Sequence, residues 1–139
     1  MARTLIRGAL AVVTMDDQRR EIAGGDVLID GGVIAAVGTG LPREGARVVE
    51  AGGCVVTPGL VNTHHHLFQT LTRAVPAAQD AALFGWLRTL YPIWSRMTPG
   101  DIRASARLGL AELALSGCTC SSDHLYLFPN GARLDDSIE

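Results

Sequence analysis

The sequence has no excess of basic residues and no long apolar run, and each absence argues against a class of protein. All twelve basic residues are arginines, and fourteen acidic residues outnumber them, which gives a formal net charge of −2. Without a basic excess, neither nucleic acid nor an anionic membrane surface is an expected partner. No apolar stretch approaches the roughly 18 residues that cross a bilayer. Residues 1–5 are not followed by the apolar segment of a secretory signal.

Cysteine is also scarce, and its number and spacing bear on disulfide chemistry. The three cysteines, Cys54, Cys118 and Cys120, are odd in number and form no CxxC pair. This pattern argues against a disulfide framework and favours a reducing compartment, so we expect a cytoplasmic protein. With 139 residues, 47% of them hydrophobic, the chain can build a sizeable core.

The first part of the chain has the pattern of a small β-sheet. Short runs rich in Val, Ile and Leu are separated by turn signals, among them Gly24-Gly25. Asp30-Gly31-Gly32 lies between two such runs and predicts a tight hairpin. We therefore assign residues 1–57 to an N-terminal β-sheet unit, with strands expected at residues 4–14, 26–30, 33–37 and 47–50.

The second part, residues 58–139, changes to a helical period. One apolar stripe predicts a helix that is capped by Asp80 and runs until Pro92. A second helix is expected to begin at Thr98 and to stop at Gly117. The following residues, 118–122, have the pattern of a strand. The order of strand, helical stretch and strand favours an α/β fold with a parallel sheet.

The segment most suited to chemistry is PGLVNTHHHLFQ, residues 58–69, which holds three of the four histidines. Side chains alternate along a strand, so His64 and His66 would share a face while His65 points to the other. Two neutral imidazoles at a strand end can bind zinc, provided that further ligands come from elsewhere. The alternative interpretation is that they are surface histidines hydrogen-bonded to nearby backbone.

This segment resembles a known family. PGLVNTHHHL is similar to the first barrel-strand signature of the amidohydrolase superfamily, and GDVLIDGGVIAAVG resembles its N-terminal β-strand unit. The resemblance implies a metal-dependent-hydrolase (β/α)8 TIM barrel preceded by a small β-sheet domain, with zinc, or sometimes iron, at the C-terminal face. It places His64 and His66 among the metal ligands and His65 at a variable position. A barrel takes about 250 residues, so this chain would cover the β unit and about two barrel strands.

The run His66-Leu67-Phe68-Gln69 is similar to that of guanine-deaminase-like enzymes, and residues 83–94, 116–119 and 121–131 are most similar to 8-oxoguanine deaminases. Both groups belong to the deaminases of purines, pterins and triazines. This resemblance implies that Gln69, Trp86 and His124 bind the substrate, a small heterocycle. Each also has a structural interpretation: a solvated loop residue for Gln69, core packing for Trp86 and a polar strand end for His124. The resemblance to these deaminases also implies that the full-length enzyme forms a homo-oligomer.

The implied reaction is hydrolytic: water attacks the ring carbon that carries the amine, and ammonia leaves. For 8-oxoguanine the products would be urate and ammonia. The resemblance places the acid and base residues and the remaining metal ligands on strands beyond residue 139. Residues 1–139 alone are therefore expected to bind zinc weakly and to be inactive.

Three alternatives remain open at this point. The substrate could instead be guanine, a pterin or a hydroxytriazine. The chain could lack catalysis, either as a β-rich or metal-binding module with no missing partner or as an inactive truncated metal-binding fragment. The reaction could be ring-amide hydrolysis, as in hydantoinase-like members of the superfamily, although Gln69 and the region of Trp86 argue against it.

Overall fold

The computed structural model describes residues 3–138, and the chain divides into two compact units between Pro58 and Gly59. None of the helices in the described range is long and apolar enough to cross a membrane.

The first unit is a five-stranded sheet. β1 lies at its centre and pairs antiparallel with β2 and parallel with both β4 and β5, while β3 extends the sheet beyond β2. Because β1 has neighbours on both sides, its side chains supply much of the core. The strands are β1 (Arg3–Val13), β2 (Glu21–Asp30), β3 (Val33–Gly38), β4 (Ala46–Glu50) and β5 (Val55–Val56).

The predicted hairpin at Asp30-Gly31-Gly32 is confirmed. Asp30 pairs with Val33, so only the two glycines connect β2 to β3. Both glycines have positive φ, 62° and 87°, which is the backbone conformation that a two-residue hairpin turn requires.

The prediction of a turn at Gly24-Gly25 is wrong. β2 begins at Glu21, and its pairing with β1 includes Gly25 opposite Ala9 and Ala23 opposite Ala11. Glycine lowers strand propensity, but here the pairing with a long central strand outweighs that local preference. The strand predicted for residues 26–30 is therefore only the second half of β2.

Asp26 is the buried carboxylate of the first unit, with an exposed fraction of 3%. Its two oxygens accept hydrogen bonds from the backbone N–H groups of Gly8 (2.8 Å) and Leu41 (2.9 Å). Gly8 lies where the β1–β2 register shifts. Burial opposes ionisation, but these two hydrogen bonds and the charge of Arg7 hold the pKa of Asp26 below its usual 3.8.

Substitution of Asp26 by Asn is expected to destabilise the first unit in a pH-dependent way. The amide NH2 would face a backbone N–H, so we expect the free energy of unfolding at pH 7 to fall by about 1–3 kcal/mol. A lowered folded-state pKa stabilises the fold above the usual pKa of 3.8 and ceases to do so as pH falls through the folded-state value. Urea unfolding at pH 7 and at acid pH measures both effects.

Asp17→Asn, at an exposed position in the same unit, is the matched control. An equal loss of stability for the two variants at pH 7, or a loss that persists unchanged in acid, would contradict this role for Asp26.

The second unit combines a two-stranded parallel sheet with helices. β6 (Leu60–Asn62) and β7 (Cys118–Ser121) pair in parallel, as the alternation of strand and helix predicts. The chain between them forms two main helices, α1 (Leu83–Trp94) and α2 (Pro99–Leu115), and a short helix, α3, follows at Asp135–Ile138. Short 3-10 turns lie at Leu67–Thr72, Pro76–Ala78 and Pro129–Gly131.

The predicted limits of α1 are wrong at both ends. The helix begins at Leu83 after an N-cap at Ala82, and Asp80 has a left-handed backbone with φ of 59°, so it is not the cap. The helix also continues through Pro92 to Trp94. A proline removes one backbone donor, but Trp94 is completely buried, and its packing favours continuation of the last turn.

The predicted limits of α2 are confirmed. The Thr98 hydroxyl accepts a hydrogen bond from the backbone N–H of Asp101, and the Asp101 carboxylate accepts one from that of Thr98, which is a capping box. The helix ends at Leu115, two residues before Gly117.

The core of this unit lies between the helices and the 3-10 turn at 67–72. Phe68, Trp94 and Ile102 are fully buried there, and the rings of Phe68 and Trp94 meet edge to face at 5.3 Å. The remaining members of the buried cluster are Ala78, Leu90, Met97 and Ala132.

Candidate metal and substrate site

The histidine segment is attached to the end of β7 by backbone hydrogen bonds. Beyond the strands, the N–H of Ser122 donates to the carbonyl of Asn62 (2.9 Å), and that of His124 donates to the carbonyl of His65 (2.8 Å). The Asn62 side-chain oxygen accepts a hydrogen bond from the N–H of His64 (3.1 Å). These contacts place both segments at the carboxyl edge of two parallel strands, where barrel enzymes form their sites.

Three imidazole rings meet at this edge. The ring centroid of His64 lies 4.8 Å from that of His66 and 4.6 Å from that of His124, and the last two are 5.6 Å apart. His65 is the exception, because its ring lies near Gly109 of α2. The structure therefore brings together the two predicted metal ligands and one predicted substrate residue.

The hydrogen bond of His66 determines which of its nitrogens can bind a metal. Nδ1 lies 2.9 Å from the backbone carbonyl of His124. A carbonyl oxygen only accepts, so Nδ1 carries the proton and Nε2 keeps its lone pair. The same argument applies to His124, whose Nδ1 lies 3.3 Å from the carbonyl of His65. Such contacts are how metal-binding histidines are commonly oriented.

The imidazole nitrogens of His64 and His66 are suitable zinc ligands, but there are too few of them to complete a zinc site. A catalytic zinc takes three protein ligands and a water, whereas His64 and His66 are two. Within residues 3–138 no group of three or more His, Cys, Asp or Glu side chains is arranged to hold a metal ion. Any metal at this edge would need at least one ligand from outside this range.

Asp123 connects the histidine segment to the rest of the unit, and the sequence pattern did not reveal this. Its Oδ1 accepts a hydrogen bond from the backbone N–H of Leu67 (2.8 Å), directly after His66, and its Oδ2 accepts one from the Ser137 hydroxyl (2.7 Å). The Asp123 carboxylate thus accepts a backbone N–H from the first turn after the histidines, where the N-cap residue His66 makes no side-chain capping hydrogen bond.

Helix α2 also contacts this turn, through a hydrogen-bonding serine and a closely packed glycine. The fully buried Ser105 hydroxyl donates to the carbonyl of Leu67 (2.8 Å) and accepts from the N–H of Leu71 (3.2 Å). A Cβ atom at Gly109 would lie 2.7 Å from the Leu67 side chain and 2.8 Å from the Thr70 hydroxyl, so the close approach requires glycine. Neither residue carries a local sequence signal for this role.

Gln69 lies on a shallow cavity of about 230 Å³ beside the histidines. Its side-chain NH2 donates to the hydroxyl of Tyr126 at 3.0 Å. Burial raises the pKa of Tyr126 above its usual 10.0, so the phenol is neutral at physiological pH. The cavity is lined by His65, His66, Gln69, Thr70 and Arg73.

Trp86 is not among the residues that line this cavity. Its ring packs edge to face on Trp94 at 5.3 Å, against the helical core. The structure therefore places it with the packing residues of α1, and its role toward a substrate remains a prediction.

Arg73, one of the residues that line the cavity, forms an ion pair with Glu112. The Arg73 guanidinium contacts the Glu112 carboxylate at 2.7 Å. This hydrogen bond lowers the pKa of Glu112, and the charge of Arg73 acts in the same direction. Because both side chains are about half exposed, the pair contributes little to stability.

Comparison with known proteins identifies the family. Residues 55–134 match the Amidohydrolase family, so the chain belongs to it. The chain is 47% identical over its whole length to an 8-oxoguanine deaminase of Pseudomonas aeruginosa and covers 30% of that protein. It is 44% identical over 96% of its length to an isoxanthopterin deaminase from an unknown prokaryotic organism and covers 29% of that relative.

A solved structure gives the same result. An atrazine chlorohydrolase from Arthrobacter aurescens TC1, complexed with zinc, superposes with a TM-score of 0.88 and 33% identity. The match covers 97% of this chain and 32% of the enzyme. The predicted fold class is confirmed, and the chain spans about 30% of the length of the curated relatives it matches.

Removal of either His64 or His66 is expected to weaken zinc binding by the intact natural protein. Loss of one direct ligand should raise the zinc Kd by at least about 100-fold, or roughly 2.7 kcal/mol. Competition with a chromophoric chelator measures the Kd. His65→Gln is the matched control, since that ring faces α2, and equal effects at positions 65 and 66 would refute the assignment.

Asp123→Ala is expected to lower zinc affinity indirectly, because the backbone after His66 loses its carboxylate partner. We expect a loss of about tenfold, at the lower end of what outer-shell partners contribute. Asp123→Asn, which keeps one acceptor oxygen, should lose less. Asp135→Ala removes a more exposed carboxylate of the same unit and serves as control, and unchanged affinity in Asp123→Ala would show that this anchor is dispensable.

Proposed function

We propose that the protein carrying this chain is a metal-dependent hydrolase that deaminates an aminated heterocycle, with 8-oxoguanine as its substrate. The observation that carries the proposal is the pair of histidine rings, 4.8 Å apart, at the carboxyl end of β6. In this proposal residues 58–139 are the start of the barrel, and residues outside the chain supply the acid, the base and the other ligands.

The histidine geometry supports the metal part of the proposal. His66 Nδ1 is hydrogen-bonded to a backbone carbonyl, so Nε2 is available as a neutral donor. The ring centroids of His64 and His124 lie 4.8 and 5.6 Å from that of His66. Neutral imidazole nitrogens suit zinc and also iron. When bound, such a metal makes a coordinated water acidic enough to attack at neutral pH.

The remaining residues supply contacts for a flat, polar ligand. Gln69 offers both a donor and an acceptor from one amide, which suits a ring edge that carries both. His124 lies beside the metal-binding pair, and its ring can contact a ligand there. We retain Trp86 as a substrate contact only as a prediction, since its ring packs on the core.

The choice of 8-oxoguanine is supported by identity over the whole chain. The 8-oxoguanine deaminase relative is 47% identical, compared with 44% for the isoxanthopterin deaminase and 35% for a hydroxydechloroatrazine ethylaminohydrolase of Pseudomonas sp.. These margins are narrow, so the pterin is the second candidate. A cytoplasmic location, a homo-oligomeric state and the absence of nucleic-acid or membrane partners complete the proposal on composition and resemblance.

Ammonia release by the intact natural protein, loaded with zinc, tests the function. We compare 8-oxoguanine, guanine and isoxanthopterin in a coupled ammonia assay, and we follow hydroxyatrazine by release of its alkylamine, because its ring carries no free amino group. We expect kcat/KM to be highest for 8-oxoguanine, by at least about tenfold, which is typical of discrimination by one or two polar contacts. A preference for isoxanthopterin would make the pterin the substrate, and no release of ammonia or alkylamine from any of the four compounds would reject the deaminase.

Residues 1–139 expressed alone are expected to release no ammonia, because only two of the required ligands are present. Turnover at an enzyme-like rate by this chain would refute the proposal that acid, base and ligands lie outside it. A non-catalytic module would instead bind zinc tightly without turnover, and zinc titration of the same sample distinguishes these outcomes.

A further inference from the structure

Gln69 and Tyr126 form a hydrogen-bonded pair across the two segments of the site. They lie 57 positions apart in sequence, yet the Gln69 amide nitrogen is 3.0 Å from the Tyr126 hydroxyl. Gln69 follows the histidines of β6, and Tyr126 follows His124 after β7. The pair therefore forms at the same edge as the imidazoles, and only the fold brings it together.

The ring of Tyr126 is held on two sides. It contacts the ring of His66 at 5.1 Å and that of Phe68 at 5.2 Å, both edge to face. Phe68 is fully buried and packs on Trp94. The ring is thus anchored to the core, while 44% of the residue is exposed. Because packing holds the ring in place, its hydroxyl can fix the position of a hydrogen-bonded partner more tightly than a hydroxyl on a flexible side chain can.

This contact determines what the Gln69 amide can offer a ligand. One N–H is directed to Tyr126, and within residues 3–138 the amide makes no other hydrogen bond. The carbonyl oxygen and the second N–H are therefore available to a ligand, and Gln69 lines the cavity beside the histidines. The phenol accepts from the amide, so its own O–H is also free to donate.

We propose that Tyr126 is a positioning and specificity residue: it holds the Gln69 amide so that a heterocycle with an N–H beside a C=O is selected. This inference rests on the proposed function, because it assigns part of the substrate contact in that site. The acceptor and donor of the amide match the donor and acceptor of such a lactam edge. Without the Tyr126 hydroxyl the Gln69 amide can rotate, and ligand binding is weakened by the entropy lost when the amide is ordered.

Tyr126→Phe in the intact natural protein tests the proposal, since it removes the hydroxyl and keeps the ring. We expect KM for the preferred heterocycle to rise roughly 5- to 30-fold, the effect of one ligand-orienting hydrogen bond, with kcat changed by less than about threefold. Tyr91→Phe is the matched control: Tyr91 is 42% exposed, packs on Trp94 and makes no hydrogen bond through its hydroxyl in the described range. Thermal unfolding of both variants reports any general loss of structure.

The double variant with Gln69→Leu separates positioning from direct contact. If Tyr126 acts through Gln69, the tyrosine change should have less than a twofold further effect on KM in the Gln69→Leu background. A full effect in that background, or equal KM values for Tyr126→Phe and Tyr91→Phe, would overturn the inference while leaving the proposed deaminase intact. An unsubstituted protein that releases no ammonia would overturn both.

Discussion

The site depends on one set of hydrogen bonds, those that join residues 62–66 to residues 122–124. β6 and β7 are only three and four residues long, and alone they would hold the histidines loosely. The pairing continues beyond both strands through backbone contacts of 2.8–2.9 Å. It then passes to side chains, with His66 Nδ1 on the carbonyl of His124 and Asp123 on the N–H of Leu67. The same contacts therefore extend the parallel sheet and orient the imidazole rings.

Much of this arrangement could be predicted from local sequence. The HxH spacing indicated two rings on one side, and PGLVN before it indicated a strand that ends there. The glycine pair after Asp30 and the Thr98–Asp101 capping box are similarly local, because a few adjacent residues determine each conformation. A signal of this kind is readable because the residues that interact are neighbours in the chain.

The rest required contacts between residues far apart in sequence. Asp123 and Ser105 hold the turn after the histidines, but a lone aspartate at a strand end and a serine on a helix have many other uses. Tyr126 meets Gln69 only because β6 and β7 are neighbours. Local signals were also overruled: Gly24-Gly25 lies within β2 because β1 pairs along it, and Pro92 lies within α1 because Trp94 is buried beyond it. In each case tertiary packing outweighs an intrinsic preference.

The central claim is that His64 and His66 bind the metal, and anomalous diffraction from zinc-loaded crystals of the intact natural protein tests it most directly. If His64 and His66 bind the metal, we expect one strong anomalous peak about 2.0–2.1 Å from Nε2 of His66 and from a ring nitrogen of His64. Further ligands should come from outside residues 3–138. His65 should remain directed toward α2, away from the peak. A zinc peak on other side chains, or one that contacts His65 rather than His66, would contradict the assignment of His64 and His66 as metal ligands.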